Sequence, residues 1–94
     1  MHELKWQPEQ PVDLSVLDEN GGAGTASIQE LSGRRVRLAT ALPVQTGAAV
    51  RLEWDGQLVL GEVRNTVPEG FWMEIHHVLF TAEELKWQKM GWQR

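Results

Sequence analysis

Val50-Arg51-Leu52-Glu53-Trp54-Asp55-Gly56-Gln57-Leu58-Val59-Leu60-Gly61-Glu62-Val63 is the stretch on which the fold turns. Val50, Leu52 and Trp54 alternate with Arg51 and Glu53, a period of two that gives a strand one apolar face. Asp55-Gly56 signals a two-residue hairpin, because both positions tolerate positive φ. Gln57 to Thr66 is the longest strand candidate, and Gly61 in its middle predicts a bulge or a close backbone approach.

The same alternation extends in both directions. Upstream, Val12, Leu14 and Val16 are separated by Asp13 and Ser15, and Asn20-Gly21-Gly22 with Gly24 marks a turn or loop. Thr25 to Leu31 reads as a second strand that ends at Ser32-Gly33. In Arg34 to Thr40, Val36, Leu38 and Thr40 share one face, while Arg35, Arg37 and Ala39 share the other. Pro43 then breaks the ladder, having no N–H to donate. Downstream, Pro68-Glu69-Gly70 is a turn, and Phe71, Met73 and Ile75 alternate with Trp72, Glu74 and His76. Short strands at this spacing predict an all-β fold, a small six-stranded antiparallel barrel. Closure removes the edges that so short a chain has little else to cover.

The pattern changes at Phe80. Thr81-Ala82-Glu83-Glu84 is a capping box, Glu83 and Lys86 form a favourable i,i+3 pair, and Gly91 is a stop signal. A C-terminal α-helix from Ala82 to about Met90 is expected. With 94 residues there is room for one domain. It divides into an N-terminal segment over 1–11, a barrel over 12–78 and a helix over 81–91.

Composition narrows the function classes. Apolar residues make up 41% and charged residues 23%, the proportions of a soluble globular domain. The formal charge of -4 disfavours a phosphate backbone, so neither DNA nor RNA is an expected partner. With no Cys, disulfides, thiolate metal sites and a Cys nucleophile are excluded. No apolar stretch approaches the roughly 18 residues of a membrane span, and Met1 to Gln10 lack the basic start and apolar core of a secretion signal. The expected location is cytoplasmic.

Ala26-Ser27-Ile28-Gln29-Glu30-Leu31-Ser32-Gly33-Arg34-Arg35-Val36-Arg37-Leu38 resembles the centre of a PilZ domain. The resemblance continues through Leu42-Pro43-Val44, Thr46-Gly47, the Val50-Arg51-Leu52 strand, Leu60-Gly61-Glu62-Val63 and the strand from Phe71 to His77. It covers about Val12 to Val78. It implies a six-stranded barrel of a bacterial signalling protein, and many such domains bind cyclic di-GMP. The family grips that ligand with two Arg, spaced R-x-x-x-R, ahead of the first strand. Here the corresponding Lys5-Trp6-Gln7-Pro8-Glu9-Gln10-Pro11 has no Arg, and Glu9 would repel a phosphate. The family's second element, D/N-x-S-x-x-G, corresponds to Glu30-Leu31-Ser32-Gly33-Arg34-Arg35. Ser32 matches, Glu30 is a longer acid, and Arg35 replaces the final Gly.

A charge-assisted Arg contact contributes about 1.5–3 kcal/mol, so losing two weakens binding by roughly two to four powers of ten. The resemblance therefore implies a degenerate member, non-enzymatic, acting as an adaptor through a protein partner or self-association. The alternative is a cyclic di-GMP receptor with a rearranged site built from Glu30, Ser32, Arg34 and Arg35. No cofactor is called for, and cyclic di-GMP is the one ligand implied, held weakly or not at all. Arg37 and Arg51 crowd the same strands, but ordinary pairing of the barrel's Arg with Glu53, Glu62 and Glu74 is the simpler account.

Other chemistry is sparse. His76-His77 on a regular strand would point to opposite faces and so not share a metal. Ser15, Ser27 and Ser32 lack a nucleophile motif, and Gly21-Gly22-Ala23-Gly24 is not a phosphate loop. Five Trp is a high number. Trp54 and Trp72 fit a core or a sheet face. Trp6, Trp87 and Trp92 are terminal, harder to bury, and candidates for partner binding. Glu3-Leu4-Lys5-Trp6-Gln7 recurs as Glu84-Leu85-Lys86-Trp87-Gln88. Coincidence accounts for this; the alternative is that both copies dock one kind of apolar groove, one in its own chain and one in a neighbour.

Overall fold

The structure, a computed structural model, describes residues 4–18 and 21–80. Six strands run in chain order: β1 (Gln10–Val16), β2 (Ala23–Ser32), β3 (Arg35–Ala39), β4 (Ala49–Trp54), β5 (Gln57–Val67) and β6 (Gly70–Phe80). They close into a barrel in the order β1-β2-β3-β6-β5-β4, with every neighbouring pair antiparallel. Two three-stranded meanders, β1-β2-β3 and β4-β5-β6, are thus zipped together along the β1–β4 and β3–β6 seams. The expected helix, with Trp87 and Trp92, lies outside the described residues.

The alternation quoted above fills the interior. Val50, Leu52, Val59, Val63, Phe71 and Met73 are fully buried, joined by Val12, Leu14, Ile28, Val36, Leu38 and Trp54. Burying such a side chain contributes about 1.5–3 kcal/mol. The β4–β5 hairpin turns on Asp55 (φ 48°) and Gly56 (φ 75°), the two positive dihedrals of a type I′ turn. Gly61 is a site of close backbone approach, and it lies opposite a bulge on β6. The β5–β6 register slips beside it, and a Cβ there would run into the Glu74 carbonyl and the Met73 side chain.

Three bulges interrupt the ladders: at Gln29 on β2, Arg64 on β5 and His76 on β6. Each inserts one residue, so each reverses which residues face inward. On β6, Phe71, Met73 and Ile75 are buried, but beyond the bulge Val78 and Phe80 are the more covered residues. His76 and His77 are consequently both exposed. The expectation of opposite faces assumed an unbroken strand, and the bulge overturns it.

The two mouths of the barrel are closed differently. At one, the connection from β3 to β4 lays Leu42, Val44 and Ala48 against the core. Thr40 ties this connection down. Its N–H donates to the Glu69 carbonyl (2.9 Å) and its hydroxyl to the Thr25 carbonyl (2.8 Å). At the other mouth, Leu4 and Trp6 pack on the core from the segment ahead of β1.

Candidate functional site

The bulge at Gln29 creates the candidate site. Ala26 and Ile28 face inward, so unbroken alternation would turn Glu30 and Ser32 inward too. The extra residue sends both outward, and Leu31 takes the inner position. Across the hairpin, Ser32 pairs with Arg35 and Glu30 with Arg37. The turn between them has Gly33 at φ 61°, the first-position glycine of a type II′ turn. On the far side of β3, Arg37 pairs with Trp72 and Arg35 with Glu74. The bulge at Arg64 likewise turns Asn65 outward beside Trp72.

Glu30, Ser32, Arg35, Asn65 and Trp72 line one open concavity of about 400 Å³ on the outer face of the barrel. The Arg37 guanidinium lies 5.9 Å from the centre of the Trp72 ring, within cation–π range. Arg37 Nε is also 3.7 Å from Glu30 Oε1. Arg64, on the neighbouring bulge, reaches Glu74 at 3.3 Å and Glu62 at 3.9 Å. These pairs are half-exposed and contribute at most about 1 kcal/mol each. Their effect is to hold Arg37 and Arg64 against acids. The site offers the Trp72 indole, a hydroxyl, an amide and Arg35, with the Glu30 carboxylate on the same wall and the Arg37 guanidinium lying over the indole.

Of the four candidate nucleotide-site residues, three converge and one does not. Glu30, Ser32 and Arg35 share the concavity. Arg34, although adjacent to Arg35, lines a different groove of about 450 Å³ with Leu4, Trp6, Leu31, Gly33, Ile75 and Val78. The Arg34 carbonyl accepts from the Ile75 N–H (2.7 Å), fixing the tip of the β2–β3 hairpin beside the second mouth. Asn65 and Trp72 are the additional lining residues. The outward phase of Trp72 was legible in the alternation of β6. Asn65 was hidden by the bulge next to it.

Trp6, a candidate for partner binding, is half-buried against the core at the second mouth. Between Leu4 and Trp6, the backbone of Lys5 is clamped. Its N–H donates to Gln57 Oε1 (2.6 Å), and its carbonyl accepts from Gln57 Nε2 (3.0 Å) and Trp54 Nε1 (2.8 Å). Gln57 is the one buried polar side chain among the described residues. It shares the inward phase of Val59 and Val63. A polar residue in that phase requires a partner, and that requirement was the available signal for this clamp. Compared with protein-family models, curated proteins and solved structures, the chain matches none.

Proposed function

We propose that this chain is a PilZ-like signalling or adaptor module, non-enzymatic and bacterial, that works through protein contacts in the cytoplasm. The observation supporting it is the use made of the segment ahead of β1. In the family this segment carries the arginine pair that grips guanine and phosphate. Here it carries Leu4 and Trp6 against the core, with its backbone committed to Gln57 and Trp54. A segment that closes the barrel is not free to clamp a nucleotide. Beside it lies the groove lined by Trp6, Leu31 and Val78, with Leu79 exposed on the same end of β6. Apolar surface of this kind favours a protein partner or self-association.

The concavity around Arg35 favours a second reading, a cyclic di-GMP receptor with a rearranged site. Trp72 would stack on a base that takes the place of the Arg37 guanidinium, while Arg35 and Ser32 hold phosphate oxygens. Calorimetric titration with cyclic di-GMP separates the two. The adaptor reading expects no heat at high ligand concentration, together with self-association in sedimentation or a partner in pull-downs. The receptor reading expects micromolar or tighter binding, reduced by Arg35→Ala. Sedimentation as monomer alone, with no partner captured, would sink the adaptor reading.

A further inference from the structure

The clamp at the second mouth recognises little that is unique to the N-terminus. It holds one backbone N–H and one carbonyl, both of Lys5, between Leu4 and Trp6 on the core. Leu85-Lys86-Trp87, within the second copy of the pentapeptide, offers the same N–H, the same carbonyl and the same two side chains at the same spacing. The second copy also begins in the right place. Phe80, the last residue of β6, pairs with Gln57, so the chain leaves the barrel beside the clamp. The five residues from Phe80 to Leu85 reach about 17 Å when extended. A tether this short gives an effective concentration on the order of millimolar.

We propose that Leu85-Lys86-Trp87 is an alternative plug, which replaces Leu4-Lys5-Trp6 at this mouth within one chain and releases the N-terminal segment. The inference does not depend on the PilZ-like reading, since it uses only the clamp and the repeated sequence. Leu4, Lys5 and Trp6 lie outside any helix or strand, so exchange competes with the helix that the Thr81–Glu84 capping box favours. The contacts in the two plugged states are alike. The balance between them is set by that helix and by the two tethers. Release of the first copy presents Trp6 to solvent, where an apolar partner can take it.

The test follows the Trp54 indole N–H in the full chain by hydrogen exchange, with Trp6→Ala, Trp87→Ala and the double variant. In Trp6→Ala the second copy takes over and protection stays within a few-fold of the parent. In the double variant it falls by about tenfold or more. If Trp87→Ala has the same effect with Trp6 present or absent, the proposal fails. The chain has no Cys, so Gln88→Cys accepts a single nitroxide label. In the Trp6→Ala background the label should broaden the Trp54 indole signal at high dilution. Broadening that appears only between mixed chains overturns exchange within one chain. Should Trp6→Ala fail to fold, a peptide of residues 82–91 added to the parent chain must shift the Trp54 indole and Gln57 amide signals, and no shift overturns the proposal.

Discussion

The two mouths of this barrel are both covered by apolar side chains, yet they differ in what holds the cover. At the first, Leu42 and Val44 sit on a connection fixed at both ends, by Ala39 on β3 and Ala49 on β4. Its backbone is further tied to Val63 through the Gly47 N–H (2.7 Å) and the Ala48 carbonyl (2.9 Å). At the second, Leu4 and Trp6 sit on a segment that, among the described residues, joins a strand only at Gln10, and the clamp of Gln57 and Trp54 supplies the rest. Covers of the same kind are therefore held with different numbers of anchors. The first cover opens only when the barrel opens. The second is predicted to open on its own, at a free energy below that of global unfolding.

The largest expected effect is at Trp54. Its ring fills the second mouth at 7% exposure and its indole N–H holds Lys5. Trp54→Ala should lower stability by about 3–5 kcal/mol, read as a shift of the urea midpoint. Gln57→Leu keeps the volume but removes the acceptor and one donor for Lys5, and should lower stability by about 1–3 kcal/mol. Because the clamp has lost its geometry, trypsin should cut after Lys5 faster than in the parent. Leu42→Ala, at the first mouth, should lower stability by about 1–2 kcal/mol for a half-buried leucine. Protease cleavage within residues 40–48 should then rise only in step with global unfolding. Cleavage there ahead of unfolding would erase the distinction between the mouths.

Most of the barrel is legible in the sequence, because its signals are local. Alternation identifies the faces of β3, β4 and β5, and Asp55-Gly56 and Pro68-Glu69-Gly70 place two of the hairpins. The bulges were another matter. Gly61 pointed to one, but nothing in Gln29 or Arg64 distinguishes a bulged residue from a paired one. A single insertion moves every later side chain to the other face. That is why alternation conceals Asn65 and places His76 and His77 on opposite faces. Glu30 and Ser32 were found by their resemblance to a motif, not by periodicity, which would have buried them with Ile28. Trp6 looked hard to bury because it is terminal. Its cover comes from Gln57 and Trp54, some fifty positions away, and pairing at that separation leaves no local trace.

The smallest effect concerns the joint between the plug and β1. Gln7-Pro8-Glu9-Gln10 forms a turn closed by the Gln10 N–H to the Gln7 carbonyl (2.9 Å), with Glu9 at φ 62°. Pro8 suits the second position of a type II turn, but the third position wants glycine. A side chain in that left-handed region costs on the order of 1–2 kcal/mol. The Glu9 N–H is nonetheless held by the Ile28 carbonyl (2.8 Å), so the strain is retained by pairing with β2. Glu9→Gly relieves the strain but increases the freedom of the unfolded chain, an offset of about 0.4–1 kcal/mol. The expected net gain is a few tenths of a kcal/mol up to about 1 kcal/mol in the urea midpoint, with tryptic cleavage after Lys5 unchanged or slower. Glu9→Ala removes the same charge without relieving φ, so it should leave the midpoint where it is. If alanine and glycine raise it equally, charge and not backbone strain governs this joint, and the second mouth is held by the clamp alone.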